Sequence, residues 1–266
     1  NFKTIQAELS VSRKEYITPH YIRIYLTGEK VPLFENTTVG VNNKILIPPK
    51  GVDKIYFPEF DYEKMQWKPM PEEIRPAVRT YTHRGIDVSK NEIWIDFVAH
   101  GDEGSAWAIA AKEGDVLGVL MKDGKTGLYA KDENYFLVAD STGIPVVAAI
   151  LEDLPETARG TCIIEVHGKE DEQDLFTRAN IDLIWLHNSH PQNGSGLAAT
   201  VKQQTLPETS RSGYVAAEFS SVKEIRQYLR KEKGWKQEEL YAYSYWKAGV
   251  AEDQSTAERH QEKEEN

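Results

Sequence analysis

Two short segments decide the interpretation of this chain, Arg79-Thr80-Tyr81-Thr82 and His100-Gly101-Asp102-Glu103-Gly104-Ser105-Ala106-Trp107. Alternate side chains of a strand share a face, so Arg79 and Tyr81 are expected to point the same way. Arginine offers a phosphate a bidentate fork, and a tyrosine ring is a flat apolar platform for an aromatic ring system. The first segment therefore suits an extended cofactor with a phosphate and an aromatic head, although the same pattern also occurs in ordinary sheets.

The second segment follows a predicted strand and opens a predicted helix. Its glycines permit another group to approach the backbone closely, and Ser105 stands where an N-cap residue is expected. The N–H groups and the dipole at a helix start favour an anion such as a pyrophosphate. The alternative interpretation is an ordinary capped turn between a strand and a helix.

The residues around these segments are rich in short strands. Apolar and alternating runs with β-branched and aromatic residues predict strands at 21–26, 44–48 and 92–98, and one helix is predicted at 105–112. Many short strands with a single helix predict an antiparallel β-barrel over residues 1–130. The proline-rich stretch 51–76 is predicted to be a long irregular insertion.

After residue 130, strands and helices alternate. The continuous apolar run Tyr135-Phe136-Leu137-Val138-Ala139 is typical of a strand buried on both faces, and a helix is predicted from Pro145. Further strands are predicted at 161–166, 183–186, 213–217 and 240–245, and further helices at 197–203 and 221–233. Ser221 is the predicted cap of the last helix. This alternation predicts a doubly wound parallel sheet over residues 131–250.

Composition excludes several classes of function. A formal net charge of −10 argues against nucleic acid as a partner, and no window approaches the 18 uncharged apolar residues of a membrane span. The single cysteine, Cys162, excludes a disulfide framework and a cysteine-built metal site. His187 and His190 lack further ligands nearby, so no metal site is predicted. Without a signal-like N-terminus, a cytoplasmic location is expected.

The polar tail, residues 251–266, has no apolar stripe. It predicts either a frayed helix or disorder, or a mobile helix that lies over a pocket.

The order of the motifs resembles the siderophore-interacting protein family, whose members are FAD-dependent ferric-siderophore reductases of the ferredoxin-reductase superfamily. The resemblance starts with Arg-x-Tyr-Thr at 79–82 and Gly-Ser-Ala at 104–106. It continues through Glu113-Gly114-Asp115 and Val138-Ala139-Asp140-Ser141-Thr142-Gly143-Ile144-Pro145. It ends in Val215-Ala216-Ala217-Glu218, residues 225–230 and Tyr245-Trp246-Lys247-Ala248-Gly249, and so covers nearly the whole chain.

The resemblance implies a flavin-binding barrel followed by a nicotinamide-binding α/β domain. It implies that the flavin and its phosphate contact Arg79, Tyr81 and Thr82. The rest of FAD would contact a second set: Phe97, Val98, Ala99, His100, Gly104, Ser105, Ala106 and Trp107. The nicotinamide cofactor would contact Asp140, Thr142, Gly143 and Glu218.

The resemblance also implies the activity. Hydride passes from NADH or NADPH to FAD, and single electrons then reduce the Fe(III) of a ferric siderophore, which releases iron for acquisition. No catalytic side chain is implied, because the cofactors carry the chemistry. The expected basic substrate pocket draws on four lysines: Lys44, Lys122, Lys125 and Lys247.

Departures from the family pattern leave alternatives open. The family often has Gly-Asp-Glu-Thr where this chain has residues 139–142, a glycine where Ala217 stands, and an arginine at Lys247. A ferredoxin therefore stays an alternative electron donor. Glu170, Asp171 and Glu172 would repel a 2′-phosphate and favour NADH, whereas Lys169 argues for NADPH. Alternative functions are a general NAD(P)H:flavin or ferric reductase, and a flavoprotein that binds siderophore or senses redox state without turnover.

Overall fold

The computed structural model describes residues 3–99 and 102–265. The chain divides into two compact units, one of Asn1–Tyr16 with Ile22–Thr126 and one of Ile17–Tyr21 with Gly127–Asn266. Among the described helices, none combines the length and the hydrophobicity that a membrane span requires.

The first unit is a curled, mainly antiparallel sheet with one helix. Its elements are β1 (Thr4–Thr18), β2 (Tyr21–Thr27), β3 (Asn42–Ile47), β4 (Phe60–Asp61), β5 (Gln66–Trp67), β6 (Ala77–Thr82), β7 (Gly85–Asp87), β8 (Glu92–Val98), α1 (Glu103–Ala110) and β9 (Val116–Lys122). Seven strands form the sheet in the order β6-β3-β9-β1-β2-β8-β7, and β4 pairs with β5 in a separate small hairpin. The predicted irregular insertion contains this hairpin.

Alternation of side chains explains how this sheet encloses a core. In β1, Ile5, Ala7, Leu9 and Val11 are buried while their neighbours are more exposed. These side chains pack with those of β2, β3, β8 and β9 in one apolar cluster. We did not predict β1 from the sequence, although its pattern is the period of two expected of a strand with one buried face.

The start of α1 differs from the prediction. Asp102, not Ser105, is the N-cap residue, and its carboxylate accepts a 2.7 Å hydrogen bond from the Ser105 N–H. The helix begins at Glu103 and ends at Ala110, two residues earlier at each end than predicted. The predicted cap was wrong because the helix begins earlier, so Ser105 lies in its first turn and its own N–H is the one that Asp102 caps.

The second unit is a parallel sheet with helical crossovers. Its elements are β10 (Asn134–Asp140), α2 (Ile144–Asp153), β11 (Arg159–Val166), β12 (Asn180–His187), α3 (Leu197–Lys202), β13 (Arg211–Glu218), α4 (Phe219–Gln227), β14 (Leu240–Trp246) and α5 (Glu252–Glu265). The strand order is β12-β11-β10-β13-β14, and every pairing is parallel. The predicted doubly wound α/β architecture is confirmed. Cys162 lies fully buried in β11.

Helix α4 also begins with a different cap from the one predicted. The Glu218 carboxylate accepts hydrogen bonds from the N–H groups of Ser220 and Ser221, at 2.7 and 3.4 Å. The predicted N-cap, Ser221, therefore donates its N–H to the actual N-cap residue, Glu218. A π-helical turn, Tyr228–Glu232, continues α4 toward Gly234.

The polar tail forms helix α5, and a buried carboxylate attaches it to the rest of the second unit. Glu262 is 2% exposed and accepts hydrogen bonds from Arg226 Nη1 at 3.0 Å and from the Ser244 N–H at 3.1 Å. A helix with little apolar surface is thus held by a buried ion pair. The segment is helical over Glu252–Glu265, and a place for it over a pocket stays a prediction.

A buried histidine directly after β6 was not singled out from the sequence. His83 is fully buried, and its Nε2 lies 3.1 Å from Thr37 Oγ1, whose hydroxyl already donates to the Phe34 carbonyl. The Nε2–H therefore donates to Thr37, and Nδ1 has no hydrogen-bond partner in the described part of the chain. Burial, helped by the charge of Lys125, lowers the pKa of His83 from 6.5 to about 4.

We predict that acid destabilises the first unit through His83. The unfolded chain binds the proton near pH 6.5 and the folded chain only near pH 4, so unfolding takes up a proton in this window. The free energy of unfolding should fall by about 2 kcal/mol between pH 7.5 and pH 5. Denaturant titrations of the wild type and of His83→Gln measure the effect. The same loss in both proteins would contradict this role, and His190→Gln on the surface is the control.

Candidate functional site

Strand β6 of the first unit holds the predicted flavin residues on one face. In its antiparallel pairing with β3, Tyr81 lies opposite Asn43 and Arg79 lies opposite Ile45, so these four side chains share a face. The Arg79 side chain is 16% exposed, and its Nη2 pairs with Glu103 Oε2 at 2.5 Å. The guanidinium is thereby held at the first turn of α1.

Three aromatic rings line up from β6 to α1. The ring centroids of Tyr81 and Phe97 are 4.5 Å apart, and those of Phe97 and Trp107 are 5.7 Å apart. Phe97 is fully buried, whereas Tyr81 and Trp107 are half-buried and pack against the core. Tyr81 therefore stands on a rigid apolar support.

Gly104 permits α1 to approach this aromatic row. A Cβ atom at Gly104 would lie 2.1 Å from the Tyr81 hydroxyl, a distance that no side chain can accept. Any larger residue would displace either the ring or the helix. The glycine that we predicted for close approach to a cofactor thus serves first to seat α1 on Tyr81.

Asn43 carries a buried side-chain amide on this face. It is 3% exposed, and neither its oxygen nor its nitrogen makes a hydrogen bond within the described ranges. An unsatisfied buried amide costs free energy, so it is unusual without a role. Because Asn43 shares its face with Arg79 and Tyr81, the donor set comprises a guanidinium, an aromatic face and an amide. That set fits a cofactor with a phosphate and an aromatic ring system, as FAD has.

The remaining predicted flavin residues lie around this face. Thr82 ends β6 and is buried, Val98 ends β8, and Ala99 packs against the core. Ser105 is buried, and its N–H donates to Asp102 and is therefore not available to an anion. Ala106 is exposed. His100 lies outside the described residues.

In the second unit, the predicted nicotinamide residues meet at the carboxyl ends of the central strands. Asp140 ends β10 and accepts hydrogen bonds on both oxygens. Oδ1 accepts from the Thr142 N–H at 2.9 Å and the Thr142 hydroxyl at 2.5 Å. Oδ2 accepts from the Glu218 N–H at 2.9 Å and from Trp246 Nε1 at 2.7 Å. One carboxylate thus joins the ends of β10, β13 and β14.

Burial raises the pKa of the Asp140 carboxyl, while the hydrogen bonds from Thr142 and Trp246 oppose the increase. We missed Trp246 as a site residue. The only signal in the sequence was its position at the end of the last parallel strand, since such ends meet at one edge of the sheet.

The junction between β10 and β13 is the topological switch point of this sheet. The chain leaves β10 toward β11 on one side and returns to β13 on the other, which opens a crevice where open α/β sheets bind ligands. Gly143 stands there, and a Cβ atom on it would lie 2.2 Å from the Ala216 carbonyl oxygen. The backbone after β10 can therefore approach β13 closely, and a nucleotide can lie over it.

Glu165, at the end of β11, is a further acidic residue that the sequence analysis did not assign. It lines a cavity of about 410 Å³. Its oxygens accept from Asn188 Nδ2 at 3.0 Å, Ser195 Oγ at 2.9 Å and the Gly196 N–H at 2.9 Å. In dinucleotide folds an acidic residue near this point binds a ribose hydroxyl. Here three protein donors already occupy the carboxylate, so Glu165 orders the loop after β12.

Both units match described protein families. Residues 10–126 match the siderophore-interacting FAD-binding domain, and residues 132–249 match the siderophore-interacting protein. The ferric vibriobactin reductase ViuB of Vibrio cholerae is 32% identical over 256 residues, which span 95% of this chain and 93% of ViuB.

The chain belongs to the siderophore-interacting protein family. The siderophore-interacting protein SipS from Aeromonas hydrophila has the same fold, with a TM-score of 0.82 and 27% identity over 97% of this chain and 98% of SipS. The NADPH-dependent ferric-chelate reductase of Escherichia coli is 27% identical over 91% of this chain and 92% of its own length. The predicted family and its cofactor FAD are confirmed.

The four predicted substrate lysines lie in both units of this family member. The Lys44 ammonium donates to Thr80 Oγ1. In the pairing of β3 with β9, Lys44 lies opposite Leu120. Lys122 is exposed two residues further along β9, so the two lysines share a face of adjacent strands. Lys125 Nζ donates to the Thr37 carbonyl at 2.6 Å. In the second unit, Lys247 pairs with Glu258 of α5 and lies 4.9 Å above the Phe219 ring.

We predict that Arg79→Ala weakens FAD binding by roughly 10- to 100-fold, the range expected for losing a hydrogen bond to a charged group. Titration of flavin-free protein with FAD, followed by flavin fluorescence, measures the dissociation constant. Arg75→Ala is the matched control. Arg75 is an exposed arginine just before β6, and its guanidinium donates to the Met70 carbonyl. Equal FAD affinity in wild type and Arg79→Ala would contradict a phosphate role for this arginine.

Proposed function

We propose that this chain is an FAD-dependent ferric-siderophore reductase, which reduces siderophore-bound Fe(III) to Fe(II) with electrons from NADH or NADPH. The observation that carries the proposal is the 32% identity with a ferric vibriobactin reductase across 95% of the chain. That span includes both the flavin unit and the nucleotide unit. A chain that lacked one of the two units would lack one half of the electron path.

The first unit contributes binding and orientation. FAD, when bound, links a donor of two electrons to an acceptor of one electron. Arg79 supplies the fixed positive charge for the cofactor phosphate, and Tyr81 supplies the apolar surface against which an aromatic ring can lie. The buried amide of Asn43 supplies donors and an acceptor on the same face. Because Tyr81 rests on Phe97, that surface is fixed before any cofactor arrives.

The second unit contributes a preformed crevice for the nucleotide. Asp140 holds Trp246 and the Glu218 backbone in place, so the ends of three strands keep one geometry. Glu218 also accepts a 3.1 Å hydrogen bond from the Ala248 N–H through Oε1, which fixes the chain beyond β14. No residue of this network needs to exchange a proton with a substrate. Its part in the reaction is to keep the crevice rigid.

Iron release follows from charge. Hard oxygen ligands attract Fe(III) more strongly than Fe(II), because the Coulomb energy scales with the charge of the ion. One-electron reduction therefore weakens the chelate without any bond being broken by the protein. A ferric siderophore of the catecholate type is strongly anionic. Lys44 and Lys122 on one face of the first unit, together with Lys125 and Lys247, are the residues proposed to attract it.

The electron donor is proposed to be NADH. Glu170, Asp171 and Glu172 follow β11, where a 2′-phosphate would lie in a dinucleotide fold, and their charges oppose such a phosphate. The Escherichia coli relative is named NADPH-dependent, and Lys169 would favour that donor, so both nucleotides belong in the assay. A ferredoxin is the other donor proposed. The proposed location is the cytoplasm, where these donors are found.

A second candidate function is a general ferric reductase without siderophore preference. It is favoured by the name of the Escherichia coli relative, which is a ferric-chelate reductase. The two functions differ in which iron complex is reduced and not in how the chain holds its cofactors.

We predict multiple turnovers of Fe(II) release from a ferric siderophore. FAD-loaded protein is mixed with the siderophore, NADH or NADPH and a ferrous chelator, and the chelate is followed by absorbance. A siderophore reductase releases many equivalents of Fe(II) per chain, and it reduces the ferric siderophore faster than it reduces ferric citrate. A general ferric reductase shows equal rates with both complexes. Release of no more than one equivalent would contradict a reductase and indicate a binding or sensing flavoprotein.

We predict that Lys44→Gln and Lys247→Gln raise the KM for an anionic catecholate siderophore by up to roughly fivefold each, as loss of an exposed charge pair costs up to about 1 kcal/mol. The KM for a neutral hydroxamate siderophore should change less. Steady-state reduction with both siderophores measures the difference. Lys90→Gln is the control, since Lys90 is an exposed lysine next to Asp87. Equal effects on the two siderophores would refute the charge argument.

A further inference from the structure

Two histidines and two carboxylates come together in the second unit, and the carboxylates, Glu170 and Asp171, are among those proposed above to oppose a 2′-phosphate. His20 lies in the turn between β1 and β2, whereas His167, Glu170 and Asp171 follow β11. One ligand atom from each of the four lies within 4.8 Å of the others. The sequence did not indicate this cluster, because its first and second histidines are far apart along the chain.

The distances within the cluster are close to those of a metal site. His20 Nδ1 lies 2.8 Å from Asp171 Oδ2, and His167 Nδ1 lies 3.7 Å from Glu170 Oε1 and 3.9 Å from Asp171 Oδ2. Around a tetrahedral ion with bonds of about 2.1 Å, neighbouring ligand atoms are about 3.4 Å apart. Because some ligand atoms of the cluster lie up to 4.8 Å apart, side chains must rotate to bring all four to coordinating positions.

Asp171 is held in place by partners that leave one oxygen directed at the histidines. Its side chain is nearly fully buried, and Oδ1 accepts from Thr18 Oγ1 at 2.8 Å and from the His20 N–H at 2.9 Å. Oδ2 faces the cluster. A carboxylate oriented by hydrogen bonds to its second oxygen is the arrangement that metal ligands commonly have.

Two further features favour a ligand at this position. The Nδ1 atom of His167 is buried and makes no hydrogen bond within residues 3–99 and 102–265. Gly168 lets Glu170 fold back toward the histidine, because a Cβ atom at Gly168 would lie 2.7 Å from Glu170 Oε1. A buried nitrogen that faces two carboxylates without a partner is a position that a cation can satisfy.

We propose that His20, His167, Glu170 and Asp171 bind one divalent transition-metal ion, with zinc as the representative. Two neutral imidazoles and two carboxylates supply a charge of −2, which balances the ion. Imidazole nitrogen suits zinc, copper, nickel and ferrous iron, whereas magnesium and calcium prefer oxygen ligands. The site therefore selects transition metals over magnesium.

Metal binding requires the two histidine rings to turn. Their centroids are 3.9 Å apart with an angle of 24° between the rings, so they are stacked. An ion must lie near the plane of each ring it binds, so the stack opens when both Nδ1 atoms coordinate. The side chains are 37% and 39% exposed, which leaves them room to rotate.

The consequence of binding is a crosslink between two segments distant in sequence. His20 belongs to the short segment Ile17–Tyr21, and the other three ligands follow β11. An ion bound only by the folded state raises the stability of this unit as its concentration rises above the dissociation constant. This inference does not rest on the reductase activity.

Isothermal titration of the untagged, FAD-loaded chain with zinc chloride tests the site. One zinc ion per chain is expected, with no heat from magnesium chloride. His20→Ala and His167→Ala should each weaken zinc binding at least tenfold. Thr18→Val, which removes a hydrogen bond that orients Asp171, should weaken it by roughly 10- to 100-fold. Thermal unfolding with and without zinc provides a second readout. Zinc should raise the Tm of the wild type and should not raise the Tm of the variants.

His187→Ala is the matched control, because His187 also lies near a carboxylate, 2.9 Å from Glu172 Oε1, but outside the cluster. It should bind zinc as the wild type does. Zinc binding that survives in His20→Ala and His167→Ala, or that disappears in His187→Ala, would overturn the proposed site. Absence of any zinc heat in the wild type would overturn it as well. If a variant is destabilised, anomalous scattering from a zinc-soaked wild-type crystal locates the ion and decides between these sites.

Discussion

The second unit depends on a single buried carboxylate, that of Asp140. It accepts hydrogen bonds from Thr142, from the backbone of Glu218 and from the indole of Trp246, which belong to three neighbouring strand ends. A buried carboxylate is unfavourable unless its oxygens are satisfied, so the three ends must keep one arrangement. The crevice at the switch point is therefore fixed by polar contacts, while apolar packing holds the sheet beneath it.

The flavin unit is held rigid by apolar packing, whereas the crevice of the second unit is held by polar contacts. Its cofactor face is built on packed rings, with Tyr81 resting on Phe97 and Gly104 letting α1 close against them. Arg79 and Asn43 bring polarity to that face. An enzyme whose chemistry belongs to its cofactors needs such placement more than it needs reactive side chains.

Sequence patterns predicted what depends on local periodicity. The strand at 92–98 and the alternation after residue 130 agree with the structure because apolar spacing determines them directly. The predicted caps were wrong. Asp102 and Glu218 directly precede their helices and cap them, whereas the predicted caps, Ser105 and Ser221, lie in the first turns. Contacts such as that between Asp140 and Trp246, 106 residues apart, leave no local signal.

The ion pair between Arg79 and Glu103 has a consequence for how the chain acquires its cofactor. The guanidinium is paired with a carboxylate on the first turn of α1, and that carboxylate is half-exposed. If Arg79 holds the cofactor phosphate as proposed, that phosphate exchanges one anionic partner of the arginine for another. The contribution of Arg79 to FAD affinity would then be a difference between two ion pairs, one with Glu103 and one with the phosphate.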